Sequence, residues 1–448
     1  MAIAKEIQRY ETRPVQLWGK MKELRRKHFR HIWQAHERGD IITVGMSESF
    51  TALPAGLGDY AASSYGPYFT GIMRDRSWAV KANEVTESHG YGHDVCDAMR
   101  VHMSQVFMGM TTKSPLTGEK VVPDFVFQPN FCINAGKCGL FLSSYLGIPM
   151  LIIDIPFEDT ENNRQYLFDE LMDGIEWMEK TTGRKYDDER FIQAARNEWE
   201  TSVLYTKICC LLKNVPAPLD ARHMMSLRQP IFTMRHQTET VEFYRELLAE
   251  VEQRVRDGIS ARGFEVARLS FEPGVPFFFP NLYRYPEKYG AITVVCEEYA
   301  AGAFTAWDIS PEGKWNAAAL PWERGIPMRT REEAVWALVD LSLAYHRTHN
   351  IYKVDSHIPD PLGRARDWKV DGVIFHVIRG CRALDSHVAE AKLLMDEAGI
   401  PNTVYEGCHA DPRDFDEVQV LDRIDAFLES LGLTKLEEAP TAGQPEKK

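Results

Sequence analysis

The chain has 448 residues, 44% of them hydrophobic and 26% charged, a globular composition long enough to build two separate cores. Its net charge of -13, with an isoelectric point near 5.6, repels phosphate backbones and anionic headgroups, so neither nucleic acid nor a membrane surface is an expected partner. No apolar run reaches the ~20 residues of a membrane helix, and Met1 to Glu6 lack the hydrophobic stretch of a signal peptide, so a cytoplasmic location is expected.

Residues 1–38 read as a helical lead-in, because Gln16 to Arg38 mixes aromatic and basic residues at helical spacing. The apolar run Ile41 to Gly45 reads as a first strand and opens a first α/β domain over 39–250. Just beyond it, Glu48 is expected to cap the next helix or to face a cleft. A glycine-bearing loop starting at Glu87 delivers Cys96 to a helical pattern, Ala98 to Phe107. A thiol there meets the positive end of a helix dipole, which favours thiolate and metal ligation. From Asp187, an expected N-cap, apolar residues recur at helical intervals until Pro216 and Pro218 stop them, a helical insertion that closes the first half. The amphipathic stretch Val241 to Val255 ends near Gly258, which places a domain boundary around 245–262. A second α/β domain then covers 262–432, starting with strand-like Phe264 to Leu269, and 434–448 reads as a disordered tail of Pro, Gly, Glu and Lys.

A weak internal repeat carries most of the fold argument. Asp124-Phe125-Val126-Phe127 leads to Cys132, a helical stretch, Gly147-Ile148-Pro149 and the apolar strand Met150 to Ile153. Asp371-Gly372-Val373-Ile374-Phe375 leads to Cys381, a helical stretch, Gly399-Ile400-Pro401 and Asn402 to Tyr405. Each unit reads as strand, helix, strand, which implies right-handed crossovers and two doubly wound parallel-sheet α/β domains with a cleft between them.

Parallel sheets bind ligands beyond the carboxyl ends of their strands, and Cys132 and Cys381 both fall just past such an end. The repeat ranks Cys132 above Cys138, which falls inside the following helix and stays in reserve. The eight cysteines read as reduced thiols, and each is equally a small buried apolar residue; that plain reading is taken for Cys209, Cys210 and Cys296. Structural zinc sites show close pairs such as Cys-x-x-Cys, and none occurs here. On spacing alone, a centre held by Cys96, Cys132 and Cys381 and a purely structural account both remain open.

The residues Asp94-Val95-Cys96, Asn130-Phe131-Cys132 and Asp371 to Ile374 with Cys381 resemble the 2-hydroxyacyl-CoA dehydratase superfamily. The ending from Glu406-Gly407 through Asp411-Pro412-Arg413 to Arg423 and Glu429 is similar to that family's closing segment, so the resemblance spans roughly 40–432. Gly56 to Asp59, Tyr65-Gly66-Pro67, Thr70 to Arg76, Gly183-Arg184-Lys185 and Val215 to Asp220 most resemble a dehydratase-like subunit of ATP-dependent benzoyl-CoA reductases.

The resemblance implies a [4Fe-4S] cluster held by Cys96, Cys132 and Cys381 in the cleft, and a subunit of an oxidoreductase that dearomatises benzoyl-CoA. The alternative within the superfamily is a subunit of a 2-hydroxyacyl-CoA dehydratase; outside it, a scaffold without a cluster. Cys408 stands where many relatives place an acidic residue and is either a fourth ligand or a thiol lining the cleft. His89, His93 and His409 adjoin motif cysteines and are candidate proton donors or hydrogen-bond partners of cluster sulfur. Arg74, Arg76, Arg364 and Arg366 are available for the phosphates of coenzyme A, although such loop charges are usually solvated. No phosphate-binding glycine loop of the Gly-x-x-x-x-Gly-Lys or Gly-x-Gly-x-x-Gly kind occurs. The energy source should then lie elsewhere, and the resemblance implies a separate ATPase with its own cluster, fed by ferredoxin, beside a second dehydratase-like subunit.

Overall fold

The computed structural model describes residues 8–45, 49–63, 71–72, 75–110, 113, 117–130, 132–156, 158–300, 304–348, 359–381, 384–385 and 387–436. Glu48, Arg74 and most of the expected tail, 437–448, lie outside the described residues. Two four-stranded sheets organise the chain. The first holds β1 (Ile41–Val44), β2 (Tyr60–Ser63), β3 (Phe125–Asn130) and β4 (Met150–Asp154), in the order β2-β1-β3-β4 and parallel throughout. The second, made later in the chain, begins with β5 (Ala267–Glu272) and β6 (Ala291–Cys296). A short antiparallel pair follows, β7 (Trp307–Ile309) with β8 (Trp315–Ala317). β9 (Gly372–Ile378) and β10 (Asn402–Gly407) then complete the second sheet in the order β10-β9-β5-β6, again all parallel.

Counted within each sheet, both run second, first, third, fourth when the second is read from its β6 edge inward by position, so the two halves are built on closely similar parallel layers. Each is covered on both faces. Val44 and Val126 pack with helices Asp97–Phe107 and Ile133–Leu146, while Phe125, Phe127 and Leu151 pack with helices Glu161–Thr182 and Asp188–Leu211. Leu269, Phe271 and Ile374 form one core with helix Glu417–Ser430, and Val373 and Phe375 form another with helix Val388–Glu397. The expectation of two doubly wound parallel-sheet α/β layers is met. Burial on both faces explains the near-continuous apolar strands.

The repeat is realised atom by atom. The Asp124 carboxylate accepts from the amide of Ile42 at 2.7 Å, and that of Asp371 accepts from the amide of Arg268 at 2.7 Å. Each aspartate thus pins the start of its own strand to the first strand of its sheet. The amide of Val126 donates to Pro149 at 2.9 Å and that of Val373 to Pro401 at 3.0 Å. Gly147 and Gly399 end their helices in the left-handed region, at φ +66° and +69°, where a side chain is strained. Asp187 caps its helix through the amide of Arg190 at 3.1 Å.

Packing does not respect the sequence order of the halves. Helix Thr238–Arg256 runs through most of the expected boundary and buries Val241, Tyr244, Leu247 and Val251 in the core of the second sheet. Helix Arg331–Thr348, from the second half, turns Val335, Leu338 and Leu343 onto Phe125, Leu151 and Trp199 of the first. Trp199 Nε1 also donates to the carbonyl of Ala337 at 2.7 Å. Among the described residues, no helix is long and apolar enough to cross a membrane.

Candidate functional site

β3 and β9 are inner strands, beside β1 and β5, and the chain leaves each at its carboxyl end to reach a thiol. Cys132 is the N-cap of helix Ile133–Leu146, its Sγ accepting from the amide of Ala135 at 3.3 Å. Cys381 follows β9, in a turn closed by its amide donating to Ile378 at 3.1 Å. Cys96 is the N-cap of helix Asp97–Phe107. Cys132 packs against Ile378 and Cys381 and also against the group that holds Cys96 and Cys138. The Cys381 thiol lies near enough to Cys96 to oppose its ionisation. Three segments far apart in sequence therefore bring Cys96, Cys132 and Cys381 together.

Backbone approach makes that convergence possible. Gly380 sits at φ +77°, and a Cβ there would stand 3.5 Å from the Cα of Cys96. Its carbonyl accepts from Asn134 Nδ2 at 3.1 Å, tying the turn before Cys381 to the helix that Cys132 caps. A second tie joins the Cys96 helix to the loop after β10. The Asp97 carboxylate accepts from the amides of Ala410 at 2.6 Å and Asp411 at 3.1 Å. Arg100, buried, lies 2.7 Å from Glu87 and 3.3 Å from Asp411. The amide of Phe277 donates to His409 at 2.8 Å. Sequence reasoning missed Asp97, Asn134 and Gly380; their local signals are an acidic residue in a first helical turn and residues adjoining the cysteines.

Cys96 and Cys381 are 5% and 7% exposed, and Cys132 is half-buried. The Cys381 thiol, and then burial, push Cys96 well above the usual thiol range, while burial and Cys96 push Cys132 up to about 11. Neighbouring thiols in a dry site oppose one another's ionisation, and a cationic metal centre removes that penalty by binding them all as thiolates. Crowded, water-poor sulfur donors at helix N-termini fit a soft, thiophilic metal or an iron–sulfur cluster.

Residues 60–431 match the family model described as 2-hydroxyglutaryl-CoA dehydratase, D-component. The chain belongs to this family. The match takes in all three converging cysteines and both sheets except β1. The alpha subunit of (R)-2-hydroxyglutaryl-CoA dehydratase from Acidaminococcus fermentans is 28% identical over 69% of this chain; the chain spans 61% of that relative's length. The (R)-phenyllactyl-CoA dehydratase alpha subunit of Clostridium sporogenes is 26% identical over 77% of this chain and 79% of its own. One of the benzoyl-CoA reductase subunits of Thauera aromatica is 23% identical over 77% of this chain and 78% of its own.

The other cysteines of this dehydratase-family chain are placed differently. Cys408 packs with Ile72, Val101 and Phe278, in a group without another cysteine, and its thiol donates to the carbonyl of Asp411 at 2.8 Å. Cys138 is buried in helix Ile133–Leu146, close enough to Cys96 and Cys132 for their charge to add to burial in raising it. Cys209 and Cys296 are fully buried in the core of the second sheet, and Cys210 packs against it with its thiol 3.7 Å from the carbonyl of Trp315.

Of the histidines, His89 is exposed, stacked on Phe107 with ring centres 3.7 Å apart. His93 is exposed as well, 2.9 Å from Asp414 and 3.2 Å from Glu87. Glu87, His93 and Asp411 reach toward a common point, but Arg100 and Arg413 already supply the positive charge there. His409 is buried and stacked on Phe277 at 4.7 Å. Arg76 pairs with Glu417 at 2.7 Å and lies over Phe279, and Arg366 is exposed. Arg364 departs from the expected solvated loop: it is fully buried in helix Pro359–Asp367 and bound to Glu272 at 2.8 Å, out of reach of a nucleotide phosphate. The carboxylate of Glu272 and the ring of Trp315, 5.3 Å from its guanidinium, account for that burial.

Proposed function

We propose that this chain is the cluster-bearing subunit of a benzoyl-CoA reductase, with Cys96, Cys132 and Cys381 as ligands of a [4Fe-4S] cluster. The observation that carries the reading is the meeting of those three thiols past the carboxyl ends of two parallel sheets. A bound cluster supplies single electrons of very low potential. Two electrons and two protons convert the aromatic ring of benzoyl-CoA to a cyclohexadiene, leaving the thioester as the product's cyclohexadiene-carbonyl-CoA. The protein's own part is to hold the ligands rigid and to keep water away. Gly380, Asn134 and Asp97 fix the segments that bear the thiols, and near-complete burial of Cys96 and Cys381 limits leakage of electrons to solvent protons. The partners in this reading are a second dehydratase-like subunit, ATPase activator subunits with their own cluster, and ferredoxin in a cytoplasmic complex.

A second reading, a subunit of a 2-hydroxyacyl-CoA dehydratase, is favoured by the names of the relatives that match at 28% and 26% identity. In that case the electron returns after water has left, with no net reduction. The deciding experiment supplies the reconstituted complex with reduced ferredoxin, ATP and either benzoyl-CoA or a 2-hydroxyacyl-CoA. Formation of a cyclic diene supports the first reading; its absence, with 2-enoyl-CoA formed from the other substrate, replaces it by the second.

A further inference from the structure

A separate group of buried ionisable side chains lies on the crest of the second sheet. Glu272 ends β5, and Glu297 directly follows β6, the adjacent strand. Arg364 reaches Glu272 at 2.8 Å and stands 3.9 Å from Glu297. His387, the N-cap residue of helix Val388–Glu397, stands 3.5 Å from Glu297. The Ser270 hydroxyl donates to Glu272 at 2.5 Å. None of the four charged groups is more than 3% exposed.

The position of this quartet links it to the thiols. Glu272 is in register with Phe375 of β9, and the chain leaving β9 passes first Cys381 and then, six positions on, His387. Asp385 and Glu390 lie on the same segment as His387, and the groups that face it from the other elements are Glu297, Glu272 and Arg364. Buried carboxylates remain ionised only while their partners balance them, so such a group is sensitive to any charge added nearby. Burial, opposed by Arg364, already pushes Glu272 above the usual carboxylate range. Burial would lower His387, but the adjacent Glu297 overrides it and favours imidazolium.

We propose that the Glu272–Arg364–Glu297–His387 quartet is a proton store for the thiol site. When a one-electron donor reduces a cluster held there, one of the two carboxylates takes a proton from water and forms an O–H bond; the proton is released when the electron moves on. One electron and one proton enter together and leave together, and the dry cleft keeps its net charge. This inference rests on the cluster-binding reading, and all four residues act as positioning and charge-balancing groups rather than by touching substrate.

The test uses the assembled, iron-loaded complex, reduced electrochemically through a viologen mediator in weakly buffered water. Iron, electrons accepted and protons taken up, followed with an indicator dye, are counted on one sample. The wild-type complex should take up a substantial fraction of a proton per electron. Glu297→Gln should lose at least about half of that uptake with iron and electron count unchanged. Glu272→Gln provides the same measurement should the first variant not fold, and Glu406→Gln, on the exposed pair with Arg379, should behave as wild type. Wild-type uptake in both buried variants, or none in the wild type, overturns the inference alone. A complex whose subunit holds no iron and accepts no electrons overturns the cluster reading and this inference together.

Discussion

The carboxylate of Asp97 accepts from the backbone amide of Ala410 at 2.6 Å, across 313 residues of sequence, and so fixes the helix that begins at Cys96 to the loop that follows β10. The same carboxylate takes the amide of Asp411, leaving both donors satisfied in a buried place. Asp97→Ala strands both amides without water. It should cost about 3 kcal/mol of stability in denaturant titration, and the variant should also hold less iron, because the thiol-bearing segments lose their register. Asp97→Asn, which keeps one acceptor, should lie between.

The cysteines divide into two classes by position. Cys132→Ser, in the group shared with Cys96 and Cys381, should lose most of the cluster iron under anaerobic purification. Cys209→Ser, buried in the core of the second sheet, and Cys408→Ser, whose thiol is engaged by Asp411, should keep it. Equal iron in all three variants would refute the ligand assignment.

Gly380→Ala probes the close approach of the turn before Cys381. At φ +77° an alanine is strained by about 1 kcal/mol, and any shift that relieves the strain moves the turn against the Cys96 backbone, which its Cβ would already touch at 3.5 Å. The expected result is a modest drop in melting temperature with a disproportionate loss of iron, whereas Gly399→Ala, with open space around it, should show only the first.

Acid should unfold the packing around the lead-in helix early. Burial drives His28 and His236 down to about 3, so each is neutral in the folded state and protonates in the unfolded chain near the ordinary value of about 6.5. Between those limits the unfolded state binds more protons, so stability is complete above the unfolded value and is lost as pH falls toward the folded one. Lowering pH from 7 to 5 should remove about 2–4 kcal/mol by this route. Chemical denaturation at the two pH values measures it, and His28→Gln should flatten the dependence.

Local pattern was enough to find β3, β9 and the thiols after them, because each repeat unit carries its own signals: an aspartate that pins the strand, a turn that presents the thiol, a Gly-Ile-Pro stop. Contacts between distant segments leave no such mark. Nothing around Asp97 announces Ala410, and the apolar face of helix Arg331–Thr348 does not say which sheet it will cover. Arg364 looks like any charged residue in a polar stretch until Glu272, 92 positions away, arrives to pair with it. Cys96 stands out through resemblance rather than through the repeat, since it has no counterpart in the second half.

The helix Arg331–Thr348 lies between strands of the second sheet in sequence but against the first sheet in space. The backbone therefore passes from one body to the other, back again, and over once more before it ends. A pair of lobes joined by one connector can swing freely; lobes joined by several passes of the chain are more constrained, because every pass must bend together. Movement of one lobe against the other beside Cys132 is therefore limited to bends that all of these crossings can share.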